Sequence, residues 1–221
     1  MLSAATVFTL LAAGEKPAIT PDEALARLKE GNDRYVAGQS LHPNGDAARR
    51  KETSTQGQHP FATVIACSDS RVPVEILFDQ GIGDVFVIRV PGNVCNGDEI
   101  ASIEYGVEHL GTPLCVVLGH TQCGAVTGVV QGASMEGNLA RLVANIQQAL
   151  VKTRRENPSL DDKALIEQTV RANVHQSIDD LFRGSPGMKK RVANGTLKII
   201  GAIYDIEQGR VAWMEDPSAK P

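Results

Sequence analysis

The sequence predicts an α/β fold: a mainly parallel β-sheet flanked by helices, with an N-terminal helical arm and a C-terminal antiparallel edge strand. Three observations carry this. Short apolar runs alternate along the chain with segments of helical periodicity. One run, PLCVVLGH at 113–120, is almost continuously apolar, as strands covered on both faces of a parallel sheet are. Near the C-terminus, TLKIIGAIYDIEQGRVAWM at 196–214 reads as two strands joined by a turn at Gln208-Gly209.

The elements follow in order. In ITPDEALARLKEGNDRYVAG, Thr20 caps a helix, Pro21 occupies its first turn and Glu23 completes a capping box. Leu25, Leu28 and Tyr35 share a face, and Gly38 stops the helix. SLHPNGD is a loop, and the polar stretch 46–57 is compatible with a short helix. PFATVIAC, 60–67, is the first strand; VPVEILFDQGIGD is a short helix and a Gly-rich turn; VFVIRV, 85–90, is the second strand. GDEIASIEYGVEHLG is a helix with Ile100, Ile103, Val107 and Leu110 as its stripe and Gly111 as its stop. Segments 138–156 and 162–182 are long amphipathic helices.

The totals set bounds. A chain of 221 residues with 42% hydrophobic and 22% charged residues builds a full core, so residues 20–221 are expected to form a single domain. A net charge of −4 gives no electrostatic reason for a nucleic-acid partner, and 4% aromatics leave few stacking platforms. The apolar segment at 1–19 is too short to span a membrane. No Lys or Arg precedes its apolar run, and three readings stay open: a signal remnant at residues 1–14 that lacks the basic start, a helical arm that docks on a partner, and a disordered tail. With them stay open a cytoplasmic and an exported location.

The chemistry sits in CSDSR, 67–71, and GHTQCG, 119–124, each at the carboxyl end of a strand, where sites form in parallel sheets. Extended backbone alternates its side chains, so Cys67, Asp69 and Arg71 would point one way if the strand continued. His120 and Cys123 stand in H-x-x-C spacing. Two thiolates and a neutral imidazole cancel the charge of Zn2+, and two Cys and one His with a fourth open position is a catalytic zinc arrangement. That position can take water or Asp69. Four cysteines also allow two disulfides, but a chain with this core needs no staples. Cys95 and Cys115 read as inert core thiols. A Cys–His nucleophile pair would leave a cysteine and a carboxylate without a role.

ACSDSRVP, FDQGIGDVFVIRVPGN, SIEYGVEHLG and VVLGHTQCGAV, in this order and spacing, resemble the β-class carbonic anhydrases over roughly residues 20–215. The resemblance implies a zinc lyase that reversibly hydrates carbon dioxide to bicarbonate and a proton, through attack by zinc-bound hydroxide. It implies Cys67, His120 and Cys123 as metal ligands and Asp69 with Arg71 as a catalytic dyad. In a closed state the dyad breaks and Asp69 ligates the metal. It further implies a substrate pocket with Gln58 as an amide donor, Phe86 and Tyr105 as an apolar wall, and Gly124 offering its backbone N–H. The expected partners are the small-molecule substrate and copies of the same chain, as a homodimer or a dimer-based assembly. The family's allosteric subtype carries a bicarbonate site of Trp, Arg and Tyr; Arg89 and Tyr204 stand at two of those places and Val64 at the third, which fits the subtype that stays open. Two rival readings share these residues: a carbon disulfide or carbonyl sulfide hydrolase on the same scaffold, and a non-catalytic zinc- or bicarbonate-binding protein.

Overall fold

The computed structural model describes residues 19–215; the segment read as a signal remnant or arm lies almost wholly outside them. Helix α1 spans Pro21–Val36 with the expected box: Thr20 Oγ1 accepts from the Glu23 N–H, and the Glu23 carboxylate accepts from the Thr20 N–H. It buries Ala24, Leu25, Leu28, Gly31 and Asn32. The polar stretch forms α2, Ala47–Gln56, capped by Asp46.

The sheet holds β1 (Ala62–Ala66), β2 (Val85–Arg89), β3 (Leu114–His120), β4 (Lys198–Tyr204) and β5 (Val211–Trp213). Their order is β2-β1-β3-β4-β5, parallel except for β4 with β5. All seven residues of β3 are buried, because both faces are covered. Leu114, Val116 and Leu118 face the layer of α1 and α3 (Val74–Leu77); Cys115 and Val117 belong to the opposite core. That core is closed by α4 (Gly97–Glu104), α5 (Gly124–Val130), α6 (Gly137–Glu156), α7 (Asp162–Gly184) and α8 (Pro186–Ala193). Each fully buried Leu or Ile there contributes about 1.5–3 kcal/mol relative to exposure.

Several elements depart from the sequence reading. The first strand ends at Ala66, so Cys67 lies just beyond the strand, ahead of the turn at Ser70–Arg71. The helix expected through 97–111 changes to a π turn over Tyr105–His109 before its stop at Gly111, φ 74°. At that turn Gly106 packs so closely that a Cβ would lie 2.3 Å from Thr63 Oγ1, and the Gly106 carbonyl accepts from both the N–H and the hydroxyl of Thr112. The short α5, α8 and a 3-10 turn at Pro91–Asn93 were not foreseen, having too few residues to show a period.

Candidate metal centre

The side chains of Cys67, His120 and Cys123 converge from the ends of β1 and β3. Their ligand atoms all lie within 4.8 Å of one another, and all three residues are buried. Both cysteines are free thiols. Each side chain is aimed by its own local structure. His120 is the last residue of β3, and its Nδ1 lies 2.8 Å from the Thr121 carbonyl. A carbonyl only accepts, so Nδ1 carries the proton and Nε2 presents its lone pair. Thr121 is itself pinned, its N–H on the Tyr204 carbonyl and its Oγ1 accepting from the Ile206 N–H. Nε2 is buried and makes no hydrogen bond. Cys123 caps α5 at the end of a sharp turn in which Gln122 takes φ 54°.

The two buried sulfurs perturb each other in opposite directions. The Cys123 thiol hydrogen-bonded to it lowers the Cys67 pKa against the cost of burial, with a further N–H from Gly92 at 3.3 Å. Cys123 is raised correspondingly by Cys67 and by burial. A buried ring nitrogen without a hydrogen bond, beside two buried free cysteine sulfurs, is a donor set that a divalent metal ion satisfies. The other two cysteines are different: burial pushes the Cys115 thiol up to about 12 and Cys95 well above its usual range, as inert core thiols.

Asp69 and Arg71 are brought together by a turn, not by strand alternation as the sequence suggested. The Asp69 Oδ1 accepts from the Arg71 backbone N–H at 3.0 Å, and the Val72 N–H returns to the Asp69 carbonyl. The guanidinium then grips the carboxylate at two points, Nε to Oδ1 at 2.9 Å and Nη2 to Oδ2 at 2.7 Å, and Nη2 reaches the Gln122 carbonyl at 3.1 Å. The Arg71 hydrogen bonds hold the Asp69 carboxyl well below the usual carboxylate range. Asp69 Oδ2 stands 3.9 Å from His120 Nε2.

Sequence reasoning missed Arg89 as a buttress of this loop: its guanidinium donates to the carbonyls of Cys67 and Asp69, at 3.1 and 2.5 Å. Nothing in the sequence marks which backbone carbonyls an arginine will find. The Val64 and Tyr204 side chains are buried in the sheet.

The remaining pocket residues divide. Gly124 lies beside the trio at the start of α5, with open space where a Cβ would stand. Phe86 and Tyr105 pair with each other, ring centroids 5.8 Å apart, but Phe86 is in register with Thr63. Four residues of strand, about 13 Å, separate that level from Cys67. Gln58 is exposed in the connection leading into the amino end of β1. Within one chain these three therefore sit toward the other end of the sheet from the trio.

A Cys-His-Cys cluster at the carboxyl ends of parallel strands, with an ion-paired carboxylate at its edge, defines a metal-dependent α/β enzyme. The family model described as carbonic anhydrase matches residues 62–211. The chain is 37% identical over 198 residues to carbonic anhydrase 2 of Mycobacterium tuberculosis, covering 88% of this chain and 93% of that one. It is 38% identical to a carbonic anhydrase of Mycolicibacterium smegmatis, covering 88% and 94%. Among solved structures it resembles the β-carbonic anhydrase CcaA, with TM-score 0.69, 29% identity and coverage of 86% and 94%. It also resembles one of two tetrameric β-carbonic anhydrases of Sordaria macrospora, with TM-score 0.70, 26% identity and coverage of 88% and 96%. The chain belongs to the β-class carbonic anhydrases.

Proposed function

We propose that this carbonic anhydrase carries out its reaction, the reversible hydration of carbon dioxide to bicarbonate and a proton, on a zinc ion held by Cys67 Sγ, His120 Nε2 and Cys123 Sγ. The observation that carries the reading is the buried, partnerless Nε2 within ligand distance of two sulfurs. Two soft thiolates and one imidazole are a zinc donor set. Zinc supplies the Lewis acidity that makes a bound water deprotonable near neutral pH.

The chain's own residues do the rest. The Nδ1 hydrogen bond to the Thr121 carbonyl fixes the tautomer and turns Nε2 toward the two sulfurs. Asp69, ionised because Arg71 grips it, is an acceptor facing the ligand cluster; it takes a hydrogen bond and so orients the attacking oxygen. Arg71 positions Asp69 and, through Gln122, ties the CSDSR loop to the H-x-x-C turn. Gly124, the exposed first residue of α5, follows Cys123 directly, which supports its backbone N–H as a donor beside the centre.

The apolar wall comes from a second copy of the chain. Phe86 and Tyr105 are at the wrong level to line their own centre, and Tyr105 is 40% exposed. Phe86 lies on β2 with Tyr105 packed on it, and among the described residues β2 is an edge strand whose Val85–Ile88 are half-buried. A homodimer, alone or within a larger assembly, supplies the partner; the tetrameric Sordaria relatives are consistent with it. One experiment covers both parts. Metal content, stopped-flow hydration and sedimentation are measured on wild type, Cys67→Ser and His120→Ala. Zinc and hydration are expected to fall together in both variants, with wild type sedimenting as a dimer or multiple. Hydration surviving metal loss, or a fully active monomer, refutes the corresponding part.

A further inference from the structure

The turn at Pro91–Asn93 is built unusually and sits against the centre. Gly92 takes φ 71° and Asn93 φ 45°, two successive residues in the left-handed region, which costs energy at the asparagine. The turn is held from behind by α7. Asn173 Nδ2 donates to the Gly92 carbonyl at 2.7 Å, and Ser177 Oγ donates to the Asn93 carbonyl at 3.0 Å. Residues 173 and 177 are one helical turn apart on the same face, and both are 1% exposed. The Gly92 carbonyl needs a donor, so the amide of Asn173 must present its nitrogen there. Its Oδ1 is left buried without a partner, which is a cost accepted for that one bond. On its other side the same peptide turn aims the Gly92 N–H at Cys67 Sγ, 3.3 Å away.

We propose that Asn173 and Ser177 are positioning residues for the metal centre, holding the Gly92 N–H on the Cys67 sulfur so that this thiolate donates less charge to the metal. The proposal rests on the reading of Cys67 as a metal ligand. Hydrogen bonds to a ligating sulfur tune the metal it binds, and loss of such outer partners commonly costs 10–100-fold in metal affinity or activity. Here the effect has a direction. Two thiolates make a metal ion a weaker Lewis acid, and a hydrogen bond to one of them restores part of that acidity.

The test uses full-length protein loaded with Co2+, whose thiolate-to-cobalt charge-transfer band reports the sulfur directly. Asn173→Ala and Ser177→Ala are compared with wild type and with Thr169→Ala. Thr169 is buried on the same helix, and its hydroxyl donates to the Leu165 carbonyl of its own helix, so it controls for general loosening of α7. In Asn173→Ala the band is expected to move to longer wavelength as the sulfur regains donor strength, while metal affinity falls about tenfold by chelator competition because Cys67 is no longer held in orientation. Ser177→Ala moves both the same way by less, and Thr169→Ala moves neither. If Asn173→Ala does not fold, Ser177→Ala carries the test. An unmoved band and unchanged affinity in a folded variant overturn the proposal, as does an equal shift in Thr169→Ala. Absence of the band from wild type overturns the metal-site reading itself, and the two failures are thereby distinguished.

Discussion

Arg71 decides where the Asp69 carboxylate goes. Two donors to one tetrahedral zinc, each at about 2.0–2.1 Å from it, lie about 3.3 Å apart. Asp69 Oδ2 is 3.9 Å from His120 Nε2. A displacement of well under 1 Å along that line would make the carboxylate a competitor for the metal's last position. What opposes it is the fork, 2.7 and 2.9 Å long, since the third hydrogen bond, from the Arg71 backbone, survives side-chain truncation. Arg71→Ala is therefore expected to keep zinc while losing about 10–100-fold in turnover, the range typical of lost outer partners in metal sites. Arg71→Lys restores the charge but not the two-point grip, and should fall between. The assay is stopped-flow hydration with zinc measured on the same samples. Wild-type turnover in fully zinc-loaded Arg71→Ala would refute the reasoning, and so would loss of zinc as the cause of a lost rate.

Two further outcomes concern the scaffold. Gly31→Ala replaces a glycine by the best helix former in the middle of α1, a change worth roughly 0.5–1 kcal/mol in favour of alanine on an exposed helix. Here the new Cβ would stand 1.8 Å from the Phe78 carbonyl oxygen, so α1 must lift from α3; a net loss of about 1–3 kcal/mol in urea unfolding is expected, and equal or higher stability would show that the contact relaxes freely. Asp79 is fully buried, and although burial opposes ionisation, the N–H groups of Leu41 and His42 and the Arg34 guanidinium leave its pKa lowered. Its folded value lies below the unfolded value of about 3.9, so its stabilisation is present above that value and is lost as pH falls through the folded one. Asp79→Ala should cost about 3 kcal/mol at neutral pH, or roughly 6–12 °C in Tm, and the deficit should shrink in strong acid; a deficit independent of pH would show that the charge is not what stabilises.

The sequence was sufficient for the fold class, since each layer writes a period into the chain. The continuous apolar run of β3 announced a strand covered on both faces, and Thr20 with Glu23 announced the start of α1. It was sufficient also for the identity of the three candidate metal ligands, because strand ends carrying thiols and an imidazole have little packing reason to do so. What it could not supply was direction in space. Strand alternation would align Asp69 with Arg71, yet a turn does it, because hydrogen bonding to the Arg71 N–H and guanidinium overrides extended backbone. Phe86 and Tyr105 read as one pocket with the trio, and only the β1–β2 register put them at another level. Asn173 and Ser177 looked like polar residues of an amphipathic helix. Their bonds to Gly92 and Asn93 span more than eighty residues of chain, and contacts of that range exist only once the sheet and α7 have packed.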